Sequence, residues 1–328
     1  MVTPFGLRHS LLVYRLQHNA QRLDMVHALT RPRSPLAVAI LGPFPWRATG
    51  VATYVLQARV QGRRVAGFVQ ILKRSGRPES DVLVLAPALP AGLTAEDIWL
   101  RLLTRCVAEA GEHGVQRVFA SVPEGGAEGD LLRQLGFVPY THETVYRLQS
   151  HVRITTTLPG EIRPQHARDG WAVMRLYHTV TPPVVQHAEG ALESENSGFQ
   201  PLWWESPLLR SRGFVLEHHG DVTGAVHIQS GPAGHWLRIW SADDRQTAVP
   251  ALLGHCLAVL NHSERQKPIY CAVRDYQSDM HLPLVDVGYQ PYAHRSRLVK
   301  HLTVRVKETV PQAIPALVTN ALGGPLIG

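Results

Sequence analysis

Histidine and cysteine are the side chains that most often bind metals, and the chain has 18 histidines and three cysteines. A metal site needs ligands that converge on one point. His218 and His219 lie in a strand-like stretch, where neighbouring side chains point to opposite faces. No third ligand shares a face with either of them, and the three cysteines have neither metal-ligand nor disulfide spacing. The sequence therefore predicts no metal site.

The positive charge of the chain is the second feature with chemical meaning. The net charge is +7 and the isoelectric point is about 9.6. Four of the 33 basic residues are lysines, so 33 − 4 = 29 are arginines. This bias is explained either by genome composition or by an anionic partner, such as a phosphorylated cofactor or a nucleic acid. Because the arginines are scattered rather than clustered with aromatics, nucleic acid is the disfavoured partner.

Length and composition limit the folds that the chain can form. A chain of 328 residues with 45% apolar residues has room for two cores. No apolar run is long enough to span a membrane, so no membrane partner is expected. The first residues lack the pattern of a secretion signal, and the expected location is cytoplasmic.

A duplicated pattern organises the chain. The pattern Gly-aromatic-x-Pro-Tyr-x-His starts at Gly136 and again at Gly288, a separation of 288 − 136 = 152 residues. The surrounding sequence repeats in the same order, which predicts three strands, a helix, a strand, a helix and a closing strand in each half. We therefore predict an N-terminal domain at residues 1–150, a C-terminal domain at 160–308 and an irregular tail at 309–328.

This order of elements resembles the GNAT superfamily of acyl-CoA-dependent N-acyltransferases. The likeness lies in "IRPQHARD", which opens the second half, and in "LLRQLGFVPYTHETVYRL" and "LPLVDVGYQPYAHRSRLVKHL", which close the two halves. The resemblance covers nearly the whole chain, which corresponds to two copies of the family's fold. The resemblance implies an α+β (mixed α/β) class, with two tandem domains that are each a mixed, mostly antiparallel sheet flanked by helices.

The resemblance also implies acetyl-CoA or another acyl-CoA as cofactor. In this family a loop before a helix holds the diphosphate with backbone amides at the helix N-terminus. In the second half this place reads "SADDRQTAVPALLG", where Arg245 matches the leading basic residue and Ala248 the first glycine. Gln246 and Thr247 add possible donors, whereas Pro250 removes one amide.

The first half is expected to hold no cofactor. The corresponding stretch reads "APALPAGLTAEDIW", and only Gly92 matches the motif. Glu96 and Asp97 in the first turn suit a bare helix N-terminus, but they would repel a diphosphate placed there.

The family's usual general acid is a tyrosine, and Leu132 and Leu284 stand at that place in the two halves. Tyr140, Tyr292, His142 and His294 lie nearby in sequence, and Tyr292 is the candidate acid, but the duplicated spacing favours packing or a hydrogen bond within the fold. As the base that takes a proton from the amine, Asp243, Asp244 or His235 could act through water.

The pair Trp203 and Trp204 falls where the family shapes its acceptor pocket, although two core aromatics fit the pattern equally well. The implied acceptor is a small-molecule amine, or the N-terminus or a lysine of a protein. Three functions remain open: an N-acyltransferase with its cofactor in the second half, an inactive GNAT-fold module that binds a small molecule or a protein, and an aminoacyl-transfer relative that binds RNA.

Overall fold

A computed structural model of the chain describes residues 1–42, 50–60, 63–74, 77–89, 93–149, 161–190, 210–242, 245–263 and 267–302. The predicted tail at 309–328 and the junction between the halves lie outside these residues. The strands are β1 (Val2–Pro4), β2 (Gln21–Arg22), β3 (Val51–Val60), β4 (Arg63–Lys73), β5 (Glu79–Ala86), β6 (Arg117–Pro123), β7 (Val138–Leu148), β8 (Glu161–Pro164), β9 (Arg210–His218), β10 (Asp221–Ser230), β11 (His235–Ser241), β12 (Ile269–Arg274) and β13 (Gln290–His301). The α-helices are α1 (Ser10–Leu16), α2 (Met25–Thr30), α3 (Pro35–Leu41), α4 (Leu93–Glu112), α5 (Ala127–Gln134), α6 (Gly170–Val180), α7 (Pro183–Ala188), α8 (Arg245–Ser263) and α9 (His281–Asp286).

The element order confirms the duplication. The first half runs β3-β4-β5-α4-β6-α5-β7 and the second runs β9-β10-β11-α8-β12-α9-β13. Helices precede each series, and the short strands β1, β2 and β8 are additions that the sequence pattern did not predict. The mixed α/β class and the tandem arrangement are therefore as predicted.

The closing strands of the two halves are exchanged, which the sequence did not predict. One sheet runs through both halves in the order β1-β3-β4-β5-β6-β13-β7-β12-β11-β10-β9-β8. The last strand of the second half, β13, pairs with β6 and β7 of the first half. The last strand of the first half, β7, pairs with β12 and β13 of the second. Within the described residues, neither closing strand pairs with a strand of its own half.

The doubled heptapeptide leads into these two strands and shapes their contact. Glu143 lies opposite Arg295, its own counterpart at a separation of 152 residues. Around this point the hydrogen bonds repeat: His142 Nδ1 lies 3.2 Å from Ser296 Oγ, and His294 Nδ1 lies 3.2 Å from Thr144 Oγ1. The strands β7 and β13 thus pair across an approximate two-fold axis that passes near Glu143 and Arg295.

The glycine of each copy ends a helix, as expected. Gly136 and Gly288 adopt φ values of 79° and 95°, which are in the left-handed region that glycine tolerates best. In both copies the next amide donates to a carbonyl five residues back, Phe137 to Leu132 and Tyr289 to Leu284, each at 3.0 Å. This is the Schellman arrangement, which satisfies helix-end carbonyls.

Two helices pack on the sheet at matching places. Helix α4 lies close to Gly67 and helix α8 lies close to Gly224. These two glycines occupy corresponding positions in the two halves. A Cβ at Gly67 would lie 2.3 Å from Ile98 Cγ2 of α4, and one at Gly224 would lie 3.1 Å from Leu252 Cδ1 of α8. In the second half α8 covers one face of the sheet, while α6 covers the other.

Candidate functional site

Each half contains a pair of parallel strands that separate after a short paired stretch. β5 and β6 pair only from Glu79 to Asp81 and from Arg117 to Phe119. β11 and β12 pair only from His235 to Leu237 and from Ile269 to Cys271. Beyond these residues the strands diverge, and each gap is here called a splay. The strand edges that border a splay present backbone groups with which an extended ligand can pair.

The first splay is filled by the chain itself. β2 pairs antiparallel with β5 inside the gap. The next residue, Leu23, donates its N–H to the carbonyl of Leu83 at 2.8 Å, and its own carbonyl accepts from the N–H of Ser121 at 2.9 Å. Leu23 is 1% exposed. An extended ligand could enter this splay only by displacing residues 21–23, which supports the expectation of a first half without cofactor.

This filling predicts that Leu23→Ala destabilises the protein. Removing a buried leucine side chain costs about 2 kcal/mol or more, while the backbone hydrogen bonds of residue 23 remain. Urea unfolding measures the loss in the free energy of unfolding. An unchanged free energy of unfolding would contradict the burial of this side chain.

The second splay is bridged at one level by a single side chain. Gln277 donates its Nε2 to the carbonyl of Ile239 on β11 at 2.9 Å, and its Oε1 accepts from the N–H of Arg274 on β12 at 3.1 Å. Ile239 corresponds to Leu83, since each lies four residues after the start of its parallel pairing. Among the described residues, no strand pairs with β11 beyond Leu237 on the side that faces β12.

Helix α8 follows this splay in the chain, and its N-terminus carries the residues that the sequence predicts to bind a diphosphate. α8 begins at Arg245, and its first-turn amides have no carbonyl partner within the helix. The structure describes only the backbone of Arg245, Gln246 and Thr247. Ala248 is buried in the core cluster beneath α8, so only its backbone can contribute to a site. Pro250 lies inside the helix and lacks an N–H group.

A cluster of charged side chains occupies the opposite face of the sheet at this splay. Val273 packs in the cluster under α8, so its neighbour Arg274 points to the face of α6 and α7. Arg274 Nη2 lies 3.1 Å from Glu189 Oε1, and Arg274 Nε lies 3.3 Å from Glu143 Oε2. Arg297 Nη1 lies 3.6 Å from Glu143 Oε1. Arg238 of β11 is the fifth member of what we call the arginine cluster: Arg238, Arg274, Arg297, Glu143 and Glu189.

Two tyrosines complete the surroundings of Glu189, which directly follows α7. Tyr177 donates its hydroxyl to Glu189 Oε2 at 2.9 Å, and Tyr140 donates to Glu189 Oε1 at 3.4 Å. Tyr140 belongs to the first copy of the heptapeptide. The cluster is thus built from both halves: β7 supplies Glu143, and the second half supplies the other four members.

Both glutamates of the cluster are held in the ionised form. Burial raises the pKa of Glu189, but Arg274, Arg238 and Arg297 outweigh it, and the pKa lies below its usual value. The same balance lowers the pKa of Glu143. A carboxylate held so firmly ionised is a poor proton acceptor near neutral pH, so these glutamates position the arginines rather than act as bases.

The predicted catalytic residues do not come together in the described part of the chain. His235 lies at the paired end of β11, fully buried, with its Nδ1 2.9 Å from Ser230 Oγ. Tyr292 is 46% exposed, and its ring centroid lies 5.6 Å from that of Tyr270, near the same end of β12. The arginine cluster lies at the opposite, open end. His235 therefore occupies a structural position, and Tyr292 packs on the surface.

The remaining predictions fall outside the described residues or in the core. Asp243, Trp203 and Trp204 are not among the described residues. Leu132 and Leu284, which stand where the family carries its acid, are both fully buried. Neither half therefore restores a proton donor at that place.

Gln277 and four members of the arginine cluster, Arg238, Arg274, Glu143 and Glu189, were not predicted from the sequence. A signal was present: "HWLRIWS" and "IYCAVR" are apolar strands that each carry one arginine, Arg238 and Arg274. A charged residue inside a buried strand needs a partner or a ligand. The partners come from β7, β13 and the end of α7, and no sequence spacing connects these elements.

The described residues contain neither a metal-binding cluster nor a membrane-spanning helix. The described residues include no group of three or more histidine, cysteine or acidic side chains placed to hold a metal ion. Among the described helices, none is both long enough and apolar enough to cross a bilayer.

Comparisons with solved structures show the fold. No protein-family model and no curated protein sequence matches the chain. The chain is similar to a tandem GNAT protein from the clavulanic acid biosynthesis pathway, solved without acetyl-CoA, at 15% identity and a TM-score of 0.51 over 92% of this chain and 98% of that one. It is also similar to a GCN5-related N-acetyltransferase from Sphaerobacter thermophilus, at 12% identity and a TM-score of 0.53 over 92% of this chain and 95% of that one. At these identities the likeness establishes the fold alone.

Proposed function

We propose, from the GNAT fold that this chain carries in two tandem copies, that it is an acyl-CoA-dependent N-acyltransferase whose second half holds the cofactor. The observation that carries the proposal is the difference between the two splays. Residues 21–23 fill the first, whereas among the described residues only the side chain of Gln277 bridges the second.

The second splay fits the extended arm of coenzyme A. The pantetheine arm contains amide groups, which can pair with an unpaired strand edge as an added strand does. Beyond Leu237 no described strand pairs with β11 on the side of β12, and the amide of Gln277 already makes this kind of bond to the carbonyl of Ile239. The first turn of α8, with Arg245, Gln246 and Thr247, is the proposed place for the diphosphate.

The bound cofactor would supply an acyl group activated as a thioester. The chain must orient an amine towards that acyl group and accept the proton that the amine loses. Asp243, two residues after the open end of β11, is the proposed base and acts through water. The missing tyrosine is tolerable because a thiol of pKa about 8.5 is a good leaving group even when it departs as the thiolate. The acceptor class is an amine of a small molecule or of a protein.

Arg245→Glu is the direct test of the cofactor site. Acetyl-CoA should raise the melting temperature of the unmodified chain, and the variant should lose this rise. Loss of a charge-assisted contact to phosphate weakens affinity by about tenfold or more. Calorimetric titration gives the dissociation constants directly, and release of free thiol in the presence of candidate amines measures turnover.

The control is Arg168→Glu, which makes the same charge change at an exposed residue just before α6, on the face away from α8. It should bind acetyl-CoA like the unmodified chain. If millimolar acetyl-CoA shifts neither the melting temperature nor the calorimetric baseline, the proposal fails.

An inactive binding module is the second candidate. The contact of Gln277 with Ile239 and the buried leucines at the places of the acid favour it. Under this alternative the protein binds acyl-CoA or another ligand in the second splay, yet no amine causes thiol release. Binding without turnover across a broad amine panel would therefore select it.

A further inference from the structure

The arginine cluster contains one positive charge more than its glutamates balance. Arg274 forms ion pairs with both glutamates, and Arg297 forms one with Glu143. Arg238 forms neither a hydrogen bond nor an ion pair with any described residue, although it lies close enough to influence the charge of both glutamates. Within the cluster three arginines thus face two carboxylates, and Arg238 is the one without an ion pair. Arg295, directly opposite Glu143 on β13, adds a further buried positive charge but donates to Ser121.

The cluster also contains polar atoms without hydrogen-bond partners. Arg274 Nη1 and Arg297 Nε are buried donors with no hydrogen-bond partner among the described groups, and both carboxylate oxygens of Glu143 contact arginines only as ion pairs. Arg274 is 5% exposed. Leaving a buried donor of a charged group unsatisfied is costly, so a fold that places such donors together favours a ligand that accepts from them.

The positions of these donors suit a small acidic group. Arg238 is the first residue of β11 beyond its pairing with β12, and Arg274 is the last residue of β12. Leu237 and Ile239 pack under α8, so Arg238 points to the same face as Arg274. The two guanidinium groups therefore come from opposite strands of the splay, Arg238 where the strands begin to separate and Arg274 three residues beyond the paired stretch. Guanidinium groups bind carboxylate and phosphate through paired hydrogen bonds.

We propose that the arginine cluster is a binding site for an oxyanion, a carboxylate or a phosphate, and that the small molecule bound there is an amine that carries this group. The assignment of that molecule as the acyl acceptor rests on the proposed function. The anion site itself rests only on the cluster. The acceptor would then lie on the face of α6 and α7, while the diphosphate of the cofactor would lie at the start of α8 on the other face.

An oxyanion site also explains why the cluster contains two glutamates. Their ion pairs hold Arg274 and Arg297 in place, and they leave Arg238 as the cation that a ligand neutralises. Without a ligand, the partly buried Arg238 carries an unbalanced charge that burial disfavours: burial, and then Arg274, lower its pKa. A bound oxyanion removes this imbalance.

Matched pairs of amines test the proposal by calorimetric titration at fixed ionic strength and without acyl-CoA. β-Alanine and β-alaninamide differ only in the carboxylate, and phosphoethanolamine and ethanolamine differ only in the phosphate. We expect the anionic member of at least one pair to bind about tenfold or more tightly than its neutral partner. The pair that shows the difference identifies the oxyanion.

Arg238→Gln should remove that preference, because it deletes the unpaired cation and keeps a side chain of similar polarity. Arg238→Lys keeps the charge but loses the paired geometry, and it should bind the anion with intermediate affinity. Arg168→Gln, at an exposed site, should bind like the unmodified chain. Equal binding of anionic and neutral amines by the unmodified chain, or an unchanged preference in Arg238→Gln, overturns the proposal.

The two proposals fail separately. A chain that prefers anionic amines but does not bind acetyl-CoA keeps the oxyanion site and loses the acyltransferase assignment. A chain that binds acetyl-CoA and shows no preference within either amine pair loses the oxyanion site alone.

Discussion

Neither half of this chain is expected to fold when it is expressed alone. In the first half, β7 pairs only with β12 and β13 among the described residues, and both belong to the second half. In the second half, β13 pairs only with β6 and β7 of the first. Each isolated half would expose unpaired strand edges and lose the contacts of its last strand. Separate expression of residues 1–150 and 160–308 should give aggregated or unfolded chains without a cooperative melt by circular dichroism.

The two halves supplied together provide the control. Co-expression should yield a stable complex, because the exchanged strands hold the halves to one another without a covalent link. A protease site inserted in the segment between the halves should leave the cut protein as one species in gel filtration, with its melt intact. If either half alone shows a cooperative native-like melt, the closing strands are not the elements that complete each fold.

Glu143→Gln is expected to be the most destabilising single substitution at the arginine cluster. Glu143 is 2% exposed and pairs with Arg274 and Arg297. Removing its charge leaves Arg297 without a carboxylate partner and Arg274 with Glu189 alone, and breaking a buried ion pair in this way costs about 3–5 kcal/mol. Urea unfolding at neutral pH measures the difference, and Glu161→Gln is the matched control. Glu161 lies exposed at the start of β8, and that change should alter the free energy of unfolding by less than about 0.5 kcal/mol.

The effect should disappear in acid, and its sign follows from the pKa. Because the arginines hold the pKa of Glu143 below its usual value in the folded state, its charge stabilises the fold above the pKa of the unfolded chain, near 4.3. That contribution is lost as the pH falls through the lowered folded value. The difference between the unmodified chain and Glu143→Gln should therefore be full at neutral pH and shrink below about pH 4. A difference independent of pH would show that packing, not charge, explains the loss of stability.

The double variant Glu143→Gln, Arg238→Gln shows whether Glu143→Gln lowers the free energy of unfolding through unbalanced charge or through lost packing. Removing Arg238 as well lowers the excess positive charge, so the double variant should recover part of the stability that Glu143→Gln loses. Additive losses would contradict the surplus of charge assigned to the cluster.

The sequence by itself determined the repeated elements of the two halves and their order, but not the short strands β1, β2 and β8. Alternating and helical periodicities depend on the few residues around each position, so strands such as β3 and β4 and helices such as α4 and α8 could be predicted locally. The glycine turns at Gly136 and Gly288 were predictable for the same reason, since only the local backbone requires them. The duplication appeared in the spacing, and the resemblance to the GNAT superfamily gave the fold class.

Only the tertiary structure decided which strand pairs with which. Strand pairing uses backbone groups that every residue carries, so β7 and β13 contain no pattern that distinguishes the sheet of their own half from that of the other. For the same reason nothing in residues 21–23 identifies them as the segment that fills the first splay. The arginine cluster follows from these pairings, because Glu143 meets Arg274 only after β7 has crossed to β12. Helices, strands and glycine turns depend on neighbouring residues and could be predicted. The site depends on contacts between residues far apart in the chain, and these contacts form only when the two halves fold as one sheet.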